Sequence, residues 1–297
     1  MSEDSKNWLI TGCSSGFGEL FVRQLRALGH NVIATGRNAD TKLAHLASTG
    51  AKILELDVTS SPSEINATMA NAWKMYPNGI DIVVNNAGYI LSGAIEELTH
   101  EETEHVFKTN FHGPMNITRA LLPKFRERGT GTLCFMSSQA GWHADPGASG
   151  YCATKFALEG AVECLSKELA LVSPNLKVLL FEPGYFRTRA FANINHVPAR
   201  VPAYEAFNQG ARAVETSVVG HEPGDPAKAV SIMIDLVLGT GIAEGRTVPL
   251  RMPLGSDGWQ RVRGRGESLI KICDEWETVA RSTDFTEVAK QEGDLEV

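Results

Sequence analysis

No stretch of the chain approaches the roughly 18 consecutive apolar residues that a membrane-crossing helix needs, so no such helix is expected. Cysteine is sparse. Five residues (Cys13, Cys134, Cys152, Cys164 and Cys273) are scattered along 297 positions, with no CxxC pair and an odd total. This excludes a disulfide frame and a cysteine zinc site, and reads as reduced thiols in a cytoplasmic protein. Net positive charge is missing too: 28 Lys and Arg face 35 Asp and Glu, a formal −7 at pH 7. Without a global positive field, neither nucleic acid nor an anionic membrane is an expected partner. The short cluster Arg261, Arg263 and Arg265 is too small to change that and reads as solvated surface. The opening MSEDSKN is polar and runs straight into an apolar strand, unlike a secretory signal. Internal repeats and low-complexity stretches are absent as well.

What is present is an ordinary globular composition, 43% hydrophobic and 21% charged, long enough to bury a sizeable core. Short apolar runs alternate with amphipathic segments up to about residue 250. Strands are expected at Trp8–Ile10, Val32–Ala34, Ala51–Leu56, Ile80–Val84, Leu133–Met136 and Lys177–Phe181. Between them lie helices, one over Gly18–Leu28 and a long one over Tyr151–Leu171. Ser61-Pro62-Ser63-Glu64 opens another, with Pro62 where its missing N–H costs little, and Thr99 with Glu102 forms a capping box for the next. Apolar strands without alternation, each followed by a helix, indicate a parallel sheet covered on both faces, a doubly wound α/β fold. In such sheets ligands sit beyond the carboxyl ends of the strands. The reading is a single Rossmann-fold domain over residues 1–250, with 251–297 as a C-terminal extension packed on it.

The unusual residues lie in those strand-end loops. After the first strand comes Thr11-Gly12-Cys13-Ser14-Ser15-Gly16-Phe17-Gly18 and then a helix. Gly12 permits the tight turn, Gly16 a close approach to a diphosphate, and Gly18 close helix–strand packing; the helix amino terminus favours the anion. A site for NAD expects Asp or Glu about 20 residues further on, for the ribose 2′-hydroxyl. Here stands Thr35-Gly36-Arg37-Asn38. Arg37 suits a 2′-phosphate, assisted by Ser14, so NADP(H) is the expected cofactor. Asp57, before Val58, is placed either to accept from the adenine amine or to close a strand-end turn.

Three further segments carry chemistry: Asn85-Asn86-Ala87-Gly88, Ser137-Ser138, and Tyr151-Cys152-Ala153-Thr154-Lys155. Tyr151 and Lys155, four apart, share a helix face, and an ammonium beside a phenol is expected to lower the phenol's pKa from about 10. That makes Tyr151 an acid or base and leaves Ser138 to hydrogen-bond a substrate oxygen. Cys152 reads as a small packed side chain.

Together these motifs resemble the short-chain dehydrogenase/reductase family over about residues 6–250, and its subgroup similar to 17β-hydroxysteroid and retinol dehydrogenases. The resemblance implies hydride transfer between a nicotinamide and a carbonyl or carbinol carbon, with no metal. It implies that Ser138 orients the oxygen, Tyr151 passes the proton, and Lys155 tunes Tyr151 and holds the nicotinamide ribose. Asn110 falls at the family's fourth catalytic position. Asn86 and Gly88 would line the adenosine ribose side; Pro183 and Gly184 would support the nicotinamide, with Thr188 on its carboxamide or the diphosphate.

Residues 185–225 hold Tyr185, Phe186, Phe191, Tyr204 and Phe207 among several prolines and are expected as a lid. With Tyr89, Trp142 and His143 they suggest a large apolar pocket, His143, Tyr185 and Phe186 touching substrate. A helix carrying Leu269, Ile270, Ile272 and Trp276 either closes that pocket or covers an assembly surface. The resulting reading is an NADP(H)-dependent carbonyl reductase or alcohol dehydrogenase acting on a small hydrophobic molecule, as a homodimer or homotetramer. The rivals are imine reduction, epimerisation or cyclisation with the same cofactor, and a non-catalytic NADP(H) sensor.

Overall fold

The computed structural model describes residues 5–285; the first four residues of the polar opening and the tail from 286 lie outside the described residues. Strands run β1 (Asn7–Ile10), β2 (Asn31–Gly36), β3 (Lys52–Glu55), β4 (Ile82–Asn85), β5 (Leu91–Ser92), β6 (Gly131–Met136), β7 (Leu176–Pro183), β8 (Asn195–His196) and β9 (Arg251–Leu254). Helices run α1 (Gly16–Ala27), α2 (Ala39–Lys42), α3 (Pro62–Trp73), α4 (His100–Phe107), α5 (Gly113–Arg128), α6 (Ser149–Val172), α7 (Glu205–Val218), α8 (Pro226–Leu238) and α9 (Ser256–Arg281).

Seven strands form one parallel sheet in the order β3-β2-β1-β4-β6-β7-β9. The chain winds outward from β1 to β3, then returns to β4 and winds the other way. This reversal opens a crevice at the carboxyl ends of β1 and β4. The absence of alternation in the strands is explained by two cores, one per face. Trp8 and Ile10 pack with Phe21, Leu25, Val230 and Met233 under α1 and α8. Leu9 points the other way, to Val83, Leu121, Phe125 and Leu158 under α3, α5 and α6.

Both capping boxes form: Ser61 Oγ accepts from Glu64 N and Thr99 Oγ1 from Glu102 N, with each glutamate returning to the cap's own N–H. The helix after the phosphate loop starts at Gly16, two residues before the expected Gly18, because the glycine loop itself supplies the first turn. Between α4 and α5 the helix widens into a π turn over Lys108–His112, a feature that often marks a functional site.

The expected boundary at residue 250 is corrected. Strand β9, beyond it, is the edge of the main sheet. The extension also does not pack along the domain. Only the start of α9 is held, with Gly258 buried, while almost every residue from Arg263 to Phe285 is exposed. The 185–225 segment pairs β8 with β5, carries α7, and is clamped at its ends by Arg187 N to Gly224 O and Gly224 N to Tyr185 O.

Candidate functional site

The crevice is a cavity of about 960 Å³, roomy enough for a dinucleotide and a small second ligand. Its floor begins where β1 and β4 end side by side. Thr11 Oγ1 accepts from the N–H groups of Asn86 and Ala87, both at 2.9 Å, and Asn86 Nδ2 donates to Thr11 O at 2.8 Å and Gly12 O at 3.2 Å. The two strand ends are thus stitched at the switch point. Gly12 turns there at φ +71°, where a Cβ would lie 2.9 Å from the Ala87 backbone. Gly18 lets α1 sit on the same spot, since its Cβ would come within 2.7 Å of Asn86 Nδ2.

Gly12, Ser14, Ser15, Gly16 and Phe17 all line the cavity. The first N–H groups of α1 have no carbonyl within the helix to bond, and its N-cap Ser15 provides no side-chain bond. This leaves donors and a positive dipole end for a phosphate. At the end of β2, Arg37 and Lys42 line the same cavity, and no carboxylate of β2 does. Glu55, at the end of β3, is occupied: its two oxygens accept from Asn38 N at 2.9 Å and Ala39 N at 2.6 Å. Those bonds hold Asn38 in a left-handed turn (φ +52°) just after Arg37. The residues present therefore fit a dinucleotide carrying a 2′-phosphate. Asp57 and Val58 also line the cavity, but Asp57 Oδ1 takes Thr59 N at 2.9 Å and Thr59 Oγ1 at 2.7 Å, the turn arrangement.

Ala87, Gly88, Ser138, Tyr151 and Lys155 meet at the centre. Ser138 Oγ accepts from Ala140 N at 3.1 Å and donates to Pro183 O at 3.5 Å. Lys155, buried at 5% exposure, donates from Nζ to Met136 O at 2.7 Å and stands 5.6 Å from the centroid of the Tyr151 ring. Burial pushes its ammonium down to about 8, against the pull of Glu159. The expectation of an acidified phenol is corrected here. Burial pushes Tyr151 up to about 12, the Ser138 hydrogen bond acting the other way.

Asn110 is 1% exposed inside the π turn rather than on a helix surface. Its Oδ1 accepts from Tyr89 N at 3.1 Å, and its Nδ2 donates to Tyr89 O at 3.0 Å and Thr154 Oγ1 at 3.1 Å. It thereby joins the strand-end loop after β4 to α6, one residue from Lys155. A Cβ on Gly88 would lie 3.1 Å from Asn110 Oδ1. Pro183, Gly184 and Thr188 line the opposite wall.

Of the expected substrate contacts, Tyr185 lines the cavity, stacked edge-on with Phe191 at 4.7 Å. Phe186 touches the cavity but is mostly buried, against Phe17 at 5.5 Å, and serves the core beneath the phosphate loop. His143 does not line the cavity; it faces Asp145 at 3.2 Å. Trp142 turns away as well, donating Nε1 to Glu182 at 2.9 Å. Cys152 is packed, its thiol pushed up by burial. Arg261, read from sequence as solvated, instead pairs with Asp145 at 2.7 Å and lies over the Tyr185 ring, closing one wall.

Sequence reasoning missed four residues that organise the site: Thr11, Glu55, Thr154 and Glu182. Each acts through a partner distant in sequence, and only the i, i+3 step from Tyr151 to Thr154 left a local signal. Among the described residues no cluster of His, Cys, Asp or Glu suits a metal ion, and no helix is long and apolar enough to cross a membrane.

The family model described as short chain dehydrogenase matches residues 6–198. An oxidoreductase, calM, of Penicillium decumbens is 34% identical over 262 residues, covering 84% of this chain and 83% of its own. A 3-ketodihydrosphingosine reductase of Bacteroides thetaiotaomicron is 36% identical over 189 residues, covering 63% of this chain and 66% of its own. Among solved structures, a short-chain dehydrogenase of Streptomyces avermitilis superposes with a TM-score of 0.82 at 36% identity, covering 96% of this chain and 100% of that one. An actinorhodin polyketide ketoreductase with NADPH gives 0.66 at 29% identity, covering 84% of this chain and 97% of that one.

Proposed function

We propose that this chain, which belongs to the short-chain dehydrogenase family, is an NADPH-dependent reductase of a carbonyl group on a small, largely apolar molecule. The observation that carries the reading is geometric: Tyr151, Ser138 and Lys155 line one cavity, Lys155 Nζ 5.6 Å from the centroid of the Tyr151 ring, and that cavity also holds Arg37 and Lys42. A bound NADPH would supply a hydride at the carbonyl carbon, and Tyr151 is placed to give the carbonyl oxygen the proton that completes the alcohol. Ser138 orients that oxygen beside the phenol. Lys155 lies close enough to steady the charge that Tyr151 acquires as its proton leaves. Arg37 and Lys42 would hold the 2′-phosphate, and the amino terminus of α1 the diphosphate.

Two relatives whose names give a keto substrate, the 3-ketodihydrosphingosine reductase and the polyketide ketoreductase, support reduction of a ketone. The apolar side of the cavity, with Ile90, Phe191, Ile194, Phe207, Val214 and Val218, supports a hydrophobic substrate. The test is NADPH consumption against ketones, aldehydes, quinones and imines, repeated with Tyr151→Phe. Loss of general acid catalysis predicts a fall of about 10³-fold or more in kcat, with NADPH affinity within about twofold of the parent. Turnover retained in the Tyr151→Phe variant would remove the phenol from this role.

A further inference from the structure

The exposed part of α9, from Arg263 to Arg281, extends about 27 Å from the point where the domain releases it. Its exposed apolar residues are not scattered. Trp259, Leu269, Cys273, Trp276 and Ala280, with the half-buried Val262 and Gly266, repeat at alternating steps of three and four, the seam of a coiled coil, flanked by the exposed Ile270, Ile272 and Val279. Leu269, Trp276 and the flanking Ile270 and Ile272 are 39%, 59%, 63% and 49% exposed. An exposed helical stretch bearing Gly264 and Gly266 is poorly stable in water without something packed against it.

We propose that the partner is a second copy of the same helix, antiparallel, related by a twofold axis near residues 270–272. Charge selects the direction. Before residue 267 the helix carries Arg261, Arg263 and Arg265 against Asp257; from there on, Glu267, Asp274, Glu275 and Glu277 outnumber Lys271 and Arg281. A parallel pair sets like against like, whereas an antiparallel pair sets the basic half on the acidic half. Size selects the register. Pairing Gly266 with Trp276 of the second copy places the largest seam residue over the gap left by the smallest, and the twofold repeats this fit. In that register Leu269 meets Cys273, Val262 meets Ala280, Ile270 and Ile272 meet their own copies, and Arg263 faces Glu277. Such an interface is isologous and closed. Because Arg261 on the same helix holds Asp145 and Tyr185, the pair also braces the cavity wall.

The experiment is sedimentation velocity of the full chain from 1 to 100 μM. The expected result is a dimer whose dissociation constant rises at least 100-fold in Trp276→Glu, with NADPH binding unchanged because Trp276 lies far out on the exposed helix. Arg263→Glu weakens the dimer several-fold, and adding Glu277→Arg restores it. Under mild oxidant no Cys273 disulfide forms, since the two thiols sit a layer apart, about 6 Å along the axis as well as across the pair. A monomeric parent, a dimer that survives Trp276→Glu, or a Cys273-linked dimer each overturns the proposal. Pelleting of a monomeric parent with phosphatidylcholine–phosphatidylglycerol vesicles also overturns it and identifies α9 as a lipid-binding helix.

Discussion

At the level of single residues, the site depends on opposite effects of burial on two neighbours. The same loss of water raises the Tyr151 phenol to about 12 and lowers the Lys155 ammonium to about 8, which still leaves Lys155 mostly charged at neutral pH. Sequence spacing placed these side chains together but said nothing of their solvation, which is why the expected sign of the tyrosine shift was wrong. Arg37 is the other decisive side chain. With Glu55 tied to the turn's N–H groups, the charges lining that end of the cavity among the described residues are Arg37, Lys42 and Asp57. Arg37→Asp removes a charge-assisted contact worth about 1.5–3 kcal/mol, or roughly 10- to 100-fold in affinity. Titration of both cofactors by nicotinamide fluorescence is expected to show NADPH weakened by that factor and NADH unchanged or improved. An unaltered ratio would take the 2′-phosphate away from Arg37.

Among the elements, the local signals were the legible ones. Both capping boxes and the glycine loop use residues within a few positions of each other, so Ser61, Thr99 and Gly12 announced their turns. The strand-end loops that carry Gly88 and Ser138 were legible because each follows an apolar run, and Tyr151 because it stands with Lys155 at the start of the long helix α6. The π turn was not: Asn110 is held by Tyr89 and Thr154, partners 21 and 44 positions away, and nothing adjacent marks it. Nor was the release of α9, because an apolar helix reads as buried until its contacts are known. Gly18 shows how narrow the legible junction is. Replacing it with Ala drives a methyl into the Gly12 carbonyl and Asn86 amide, the bonds that join α1, β1 and β4. Gly18→Ala is expected to cost about 1–3 kcal/mol of stability and to weaken NADPH binding along with it. A melting temperature and a cofactor affinity both equal to the parent's would show that the junction yields without cost.

Across the whole molecule, the far edge of the sheet is tied to the catalytic helix by charges beneath the surface. Arg251 on β9 reaches Glu159 at 2.9 Å and Glu163 at 2.8 Å on α6, and Glu182 on β7 at 3.6 Å. Glu182 is wholly buried, with Oε1 bonded to Trp142 and Oε2 without a hydrogen-bond partner among the described residues, directly before Pro183 and Gly184 of the cavity wall. Burial first, and the nearby Glu159 second, push its carboxyl well above the usual carboxylate range. The sign follows from linkage. The folded chain keeps a proton that the unfolded chain releases near its ordinary pKa, so stability is lost as pH rises from that value towards the folded one. Glu182→Gln preserves the acceptor for Trp142 and removes the charge. The variant is expected to melt close to the parent at pH 5 and about 2–4 °C above it at pH 8, corresponding to about 1 kcal/mol in a protein of this size. Calorimetry across that range decides it. A pH-independent difference, or a less stable variant at pH 8, would mean that Glu182 is ionised at no cost and that Arg251 alone balances the cluster.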